Sequence, residues 1–151
     1  MRGFFNNLFR GKQSVSLEEA CQKNQENLSR AKATDEEEIL VWQASNALTS
    51  GEFEEAVQRY LELAIKYPWN KGLYLSQVGA GYYFLTEFDK AIAYYLEAKQ
   101  VGMDAAMMDD SVWETCETQY NNTHNKTDIK KYLEYFPEGS HIKKAQKLLN
   151  G

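Results

Sequence analysis

One phrase occurs twice in this chain, and it constrains the fold more than any other feature. Residues Gly51–Ala64 read GEFEEAVQRYLELA, and residues Thr86–Lys99 read TEFDKAIAYYLEAK. Six of the fourteen positions are identical, Glu52/Glu87, Phe53/Phe88, Ala56/Ala91, Tyr60/Tyr95, Leu61/Leu96 and Glu62/Glu97, all at an offset of 35 residues. A unit of this length cannot bury its apolar face alone. Self-similarity at such a period therefore predicts helical pairs stacked into a solenoid. Two prolines and nine glycines in 151 residues, with much Ala, Leu, Glu, Gln and Lys, point the same way, to an all-α fold.

Capping and stop signals divide the chain into an N-terminal arm, residues 1–14, and a single domain over 15–151. Ser16-Leu17-Glu18-Glu19 has the form of a capping box and predicts a capping helix over 16–34. Its stripe of Leu17, Ala20, Cys21, Asn24 and Leu28 is thin, and it is expected to pack on the first repeat. Asp35-Glu36-Glu37-Glu38 suits the positive end of a helix dipole and is expected to open a new helix. Repeat one is then 35–70, with stops at Ser50-Gly51 and Tyr67-Pro68, and Asn70 capping the next helix. Repeat two is 71–104, with a tight turn at Thr86 and a stop at Gly102. A degenerate third unit covers 105–137, with Asp109-Asp110 in its first turn, a polar loop at Asn121–Lys126 and a short helix ended by Pro137. Ser140 is expected to cap a last helix over 139–150, whose Ile142, Ala145, Leu148 and Leu149 form one stripe.

With these residues in place the chain resembles the tetratricopeptide-repeat family. Repeat one supplies Leu40, Ala44, Ala47, Gly51, Phe53, Ala56, Tyr60 and Pro68; repeat two supplies Leu75, Gly79, Tyr82, Phe88, Ala91, Tyr95 and Ala98. Small residues at Ala44/Gly79 and Ala56/Ala91 let helix backbones approach, and Tyr60, Tyr82 and Tyr95 fill the space beside them. Repeat one departs from the family pattern at Ala47 and Leu63, repeat two at Met103. The third unit lacks an alanine at the start of its second helix, and its stretch from Lys126 to Pro137 is about a turn short. The resemblance is specific over Glu37–Asp104, weaker to Leu149 and absent over 1–34.

The resemblance implies a non-enzymatic adaptor that holds a segment of another protein on the face made by the first helix of each pair. The positions that point there are Val41, Ser45, Leu48 and Thr49, then Ser76, Ala80, Tyr83 and Phe84. In the third unit they are Glu114, Thr118 and Asn121. Tyr83 and Phe84 exceed what packing needs, since Tyr82 and Phe88 already serve it, and surplus aromatics are favoured interface anchors. The basic clamp with which some family members grip a carboxylate tail is absent, because its slots hold Val41, Ser45, Ser76 and Ala80.

Charge narrows the partner. Residues 35–117 carry sixteen acidic and five basic groups, whereas 1–34 and 118–151 each carry six basic and three acidic. An acidic middle argues against nucleic acid. No apolar run is long enough for a transmembrane segment. Cys21 and Cys116 belong to no close-spaced motif and, with no secretory leader evident, fit a cytoplasmic setting. His124 and His141 have no metal-ligand spacing, and exposed polar positions are expected for both. Cys116 is expected to line a helix interface rather than to pair with His124. No phosphate-cradling glycine loop is present. We expect no metal, no cofactor and no enzymatic activity. Three other readings stay open. One is a secretion-type client chaperone, and another an inhibitory or immunity protein that binds a basic partner. The third is a membrane-peripheral protein anchored by Phe4, Phe5, Leu8 and Phe9 of the arm. A weak cap would also permit a homo-oligomer.

Overall fold

The computed structural model describes residues 16–151, apart from the side chains of 27–34; the arm and its phenylalanines, like the Leu28 side chain, lie outside the described residues. Every regular element described is helical: α1 (Leu17–Thr49), α2 (Phe53–Lys66), a single 3-10 turn (Pro68–Asn70), α3 (Lys71–Phe84), α4 (Phe88–Gln100), α5 (Ala105–Thr123), α6 (Thr127–Tyr135) and α7 (Ile142–Asn150). None of them is long and apolar enough to cross a membrane.

The Ser16 hydroxyl accepts from the Glu19 amide at 3.2 Å, as the capping box requires. The helix it opens does not stop at residue 34. Neither Gly nor Pro intervenes before Gly51, so the two helices expected over 16–34 and from Asp35 are one, of 33 residues. Gly51, at φ 84°, ends it in the left-handed conformation that glycine adopts without strain.

The chain forms two compact units, residues 1–42 and 43–151. In the first, Leu17, Cys21 and Asn24 are exposed and Ala20 is half-buried, so the stripe expected to pack as a cap is not a buried one.

In the second unit α2 packs on α3, α3 on α4, α4 on α5, α5 on α6 and α6 on α7. Ala44, Ala56 and Ala91 are wholly buried, and Tyr60 and Tyr95 nearly so. Gly79 shows why the crossing needs small residues: a methyl group there would meet the Tyr95 ring at 2.7 Å. Tyr82 is only half-buried, stacked on Tyr94 at 5.5 Å with Lys90 over its ring at 5.3 Å.

The third pair repeats the same core at a longer offset. Leu75, Val78, Gly79, Ala91, Ile92 and Tyr95 are matched, 37 residues on, by Val112, Thr115, Cys116, Asp128, Ile129 and Tyr132, all buried. Its first helix, α5, has 19 residues against 14 in α3, and its second, α6, has nine against 13 in α4. Helix α5 also takes up residues 121–123 of the expected loop. Asp128 stands where the other pairs have alanine. Thr123 donates to its carboxylate at 2.6 Å, and Lys131 approaches at 3.5 Å. A buried carboxylate held in this way is tolerated because its charge is partnered.

Helix α5 is capped by Asp104, whose carboxylate accepts from the Met107 amide at 3.0 Å. Asp109, expected in that first turn as a partner for the dipole, has a different task. Its carboxylate accepts from the Tyr132 hydroxyl, and from the Ser140 amide and hydroxyl at 2.8 and 3.0 Å. Ser140 is therefore engaged by Asp109, and α7 starts after His141. His141, expected to be exposed, is half-buried. Its ring lies parallel to Trp113 at 5.4 Å, and its Nε2 is 2.7 Å from Asp110 Oδ1. Its amide donates to the Tyr132 hydroxyl at 3.0 Å. This network latches the 137–141 turn onto α5.

Candidate protein-docking face

The candidate face lies at the C-terminal ends of α1 and α3. The 35-residue offset makes Leu48 and Thr49 the counterparts of Tyr83 and Phe84. Leu48 is half-buried. Thr49 is exposed, and its hydroxyl donates to the carbonyls of Ser45 and Asn46 at 3.1 and 3.2 Å. Ser45 is exposed. Ala80 is half-buried. Val41 is half-buried in the first unit and is no part of the face in the second.

Ser76 is not on this face. It is 4 % exposed and donates to the Leu73 carbonyl at 2.6 Å. Helix α3 packs against both α2 and α4, which narrows the stripe it leaves open. Thr118 is half-buried and shares a hydrogen bond of 3.1 Å with the Tyr83 hydroxyl, so it ties α5 to α3 rather than offering a free hydroxyl. Glu114 and Asn121 are exposed.

Tyr83 and Phe84 are built into an aromatic run. Phe84 lies on Phe53 with centroids 5.0 Å apart and planes 16° apart. Tyr83 meets Phe84 edge-on at 5.4 Å and Phe88 at 5.9 Å. Such pairs contribute about 0.5–1.5 kcal/mol each beyond the area they bury. Tyr83 is half-buried by these contacts, whereas Phe84 keeps 52 % of its surface exposed. The packing therefore separates the pair: Tyr83 is a strut, and Phe84 is the apolar surface it holds in place.

Carboxylates surround this surface in sequence. Glu52 precedes Phe53, and Glu87 follows Phe84 by three residues; with Glu54, Glu55 and Asp89 they occupy the starts of α2 and α4, all exposed. The neighbouring Glu55 carboxyl and its negative charge hold the Glu52 carboxyl above its usual range, against the opposing charge of Arg59. Glu55 is held below it by Glu52 and by Arg59, which reaches it at 3.1 Å and also donates to Gln43 at 3.0 Å. Lys90 stands 3.6 Å from Glu87, and Lys131 3.1 Å from Asp89. Phe53, Glu52 and Glu55 were not expected at this face from the sequence. Their signal was the repeated Glu-Phe at 52–53 and 87–88, which reads as core when only periodicity is considered.

A cleft of about 390 Å³ opens elsewhere, among Leu61, Ile65, Pro68, Tyr94, Lys71 and Glu97, and none of the docking residues lines it. Both cysteines are free thiols. Burial pushes the Cys116 thiol up to about 12, so it is protonated at neutral pH and packs as an apolar group. Among the described residues no three carboxylate, imidazole or thiol groups converge to hold a metal ion. No known protein family matches the chain, and no curated protein is similar to it.

Proposed function

We propose that the chain is a tetratricopeptide-repeat-like adaptor that holds a segment of another protein against Leu48, Thr49, Ala80, Tyr83 and Phe84. Supporting this reading are the helical pairs at near-constant offset, with small residues where backbones cross and tyrosines beside them. The observation that carries it is Phe84. Its ring is more than half exposed while Phe53 and Tyr83 fix its position. A rigid exposed aromatic buries much area on binding at little entropic cost. Two free thiols far apart in sequence, one of them buried, suit a reducing cytoplasmic setting.

Affinity capture from the source cell tests the proposal. The intact chain is compared with a Phe84→Ser, Thr49→Glu variant that first passes a helicity and melting check. A protein captured by the intact chain and lost from the variant is the expected result. The same proteins with both chains, or none with either, would overturn it.

A further inference from the structure

The adaptor reading leaves open the chemistry of the partner, and the surroundings of Phe84 restrict it. The turn-side ends of α2, α3 and α4 carry an exposed ring and five exposed carboxylates, Glu52, Glu54, Glu55, Glu87 and Asp89. Local cations are fewer and already engaged. Arg59 serves Glu55 from the next turn of the same helix, Lys90 serves Glu87 from three residues on, and Lys131 of α6 serves Asp89. Glu52 stands beside the carboxyl of Glu55 and feels that neighbour more strongly than the charge of Arg59. The wider segment repeats this imbalance, with sixteen acidic and five basic groups over 35–117. Phe53, stacked on Phe84, follows Glu52 directly, so the apolar shelf and an exposed carboxyl belong to the same turn.

We infer that this edge docks a basic polypeptide segment carrying an apolar anchor, with the anchor on Phe84 and lysine or arginine side chains against Glu52, Glu55 and Glu87. The inference rests on the adaptor reading and names the partner's chemistry. A cation placed beside Glu52 and Glu55 meets two exposed carboxyls that share one arginine. One placed over the exposed face of Phe84 gains from the ring quadrupole. An acidic segment or a nucleic-acid backbone would instead meet like charge, which opposes association at close range.

Titration calorimetry on the full chain tests this with three synthetic peptides. The first alternates lysine with phenylalanine, the second replaces the lysines by glutamate, and the third replaces the phenylalanines by glycine. The first is expected to bind, the second not at all, and the third about tenfold more weakly, since the anchor supplies the desolvated contact. Raising the salt from low to about half-molar should weaken the first peptide roughly tenfold. Phe84→Ser should weaken it by a similar factor. Glu52→Gln, at an exposed position whose side chain makes no capping bond, should weaken it about threefold and keeps the test open if Phe84→Ser fails to fold.

No binding of the lysine–phenylalanine peptide at millimolar concentration, or equal binding of the glutamate peptide, would overturn the inference. So would equal binding of the lysine–glycine peptide, or indifference to both variants. Sedimentation of the chain alone guards against another occupant: a dimer that Phe84→Ser dissociates would mean that a second copy covers the edge. If capture loses a partner with the Phe84→Ser, Thr49→Glu variant while the basic peptide fails to bind, the adaptor reading stands and this inference falls.

Discussion

Thr86 adopts φ 61°, the left-handed conformation that Gly51 adopts at φ 84° in the equivalent turn of the preceding hairpin. A branched side chain in that region costs about 1–2 kcal/mol, whereas glycine costs about 0.5–1 kcal/mol through the entropy of its unfolded chain. Thr86→Gly should therefore stabilise the protein by about 0.5–1 kcal/mol, seen as a higher urea midpoint with an unchanged slope. Asp109 sets a pH dependence at the same scale. Burial alone would push its carboxyl up, but the Ser140 amide, the Tyr132 hydroxyl and the Ser140 hydroxyl outweigh that and hold it below the usual carboxylate range. A lowered folded-state value means stability that is present above about pH 4 and lost as pH falls through the folded value. Urea melts between pH 6 and pH 3 should show a steeper loss for the native chain than for Asp109→Asn. Equal slopes would mean that the latch carboxylate is not responsible.

Helices α3 and α4 meet where Gly79 faces the Tyr95 ring. Gly79→Ala would place a methyl group 2.7 Å from two ring carbons, and Tyr95, itself buried, has little room to retreat. Overpacking of this kind costs about 1–3 kcal/mol. That exceeds the gain of up to about 1 kcal/mol that alanine brings to a helix interior, so thermal melting should fall. This crossing was legible from the sequence because both of its repeats keep a small residue opposite a tyrosine. The crossing of the third pair was not. Cys116 stands at the Gly79 position and Asp128 at the Ala91 position, and an offset of 37 hides the shared Tyr-Leu-Glu at 60–62, 95–97 and 132–134. The stop expected at residue 34 failed for a different reason: Asp35–Glu38 are good first-turn residues, but nothing before them breaks a helix. At the candidate face, Phe84 was legible as an aromatic beyond the needs of the core. Ser76 was misplaced because a helical wheel does not say which neighbours cover it.

Across the whole second unit, stability should fall from the middle pair towards the C-terminus. Helices α3 and α4 each have a packed neighbour on both sides, whereas α7 packs on α6 and fully buries only Ala145. In a stacked array each pair is stabilised by its neighbours, so the terminal element opens at the lowest cost. The latch of Asp109, Tyr132, Ser140 and His141 opposes that opening through polar contacts rather than a large apolar area. Tyr132→Phe removes the hydroxyl that donates to Asp109 and accepts from the His141 amide, while keeping the ring between Trp113 and Phe136. It leaves a buried carboxylate short of a donor, a loss of about 1–3 kcal/mol. Hydrogen exchange followed by mass spectrometry should show amides of α6 and α7 exchanging before those of α3 and α4 in the native chain. In Tyr132→Phe exchange should rise over 124–151 and stay unchanged in α3. A rise of equal size in every helix would mean that the unit opens only as a whole. The latch would then contribute to global stability instead of holding the end of the stack.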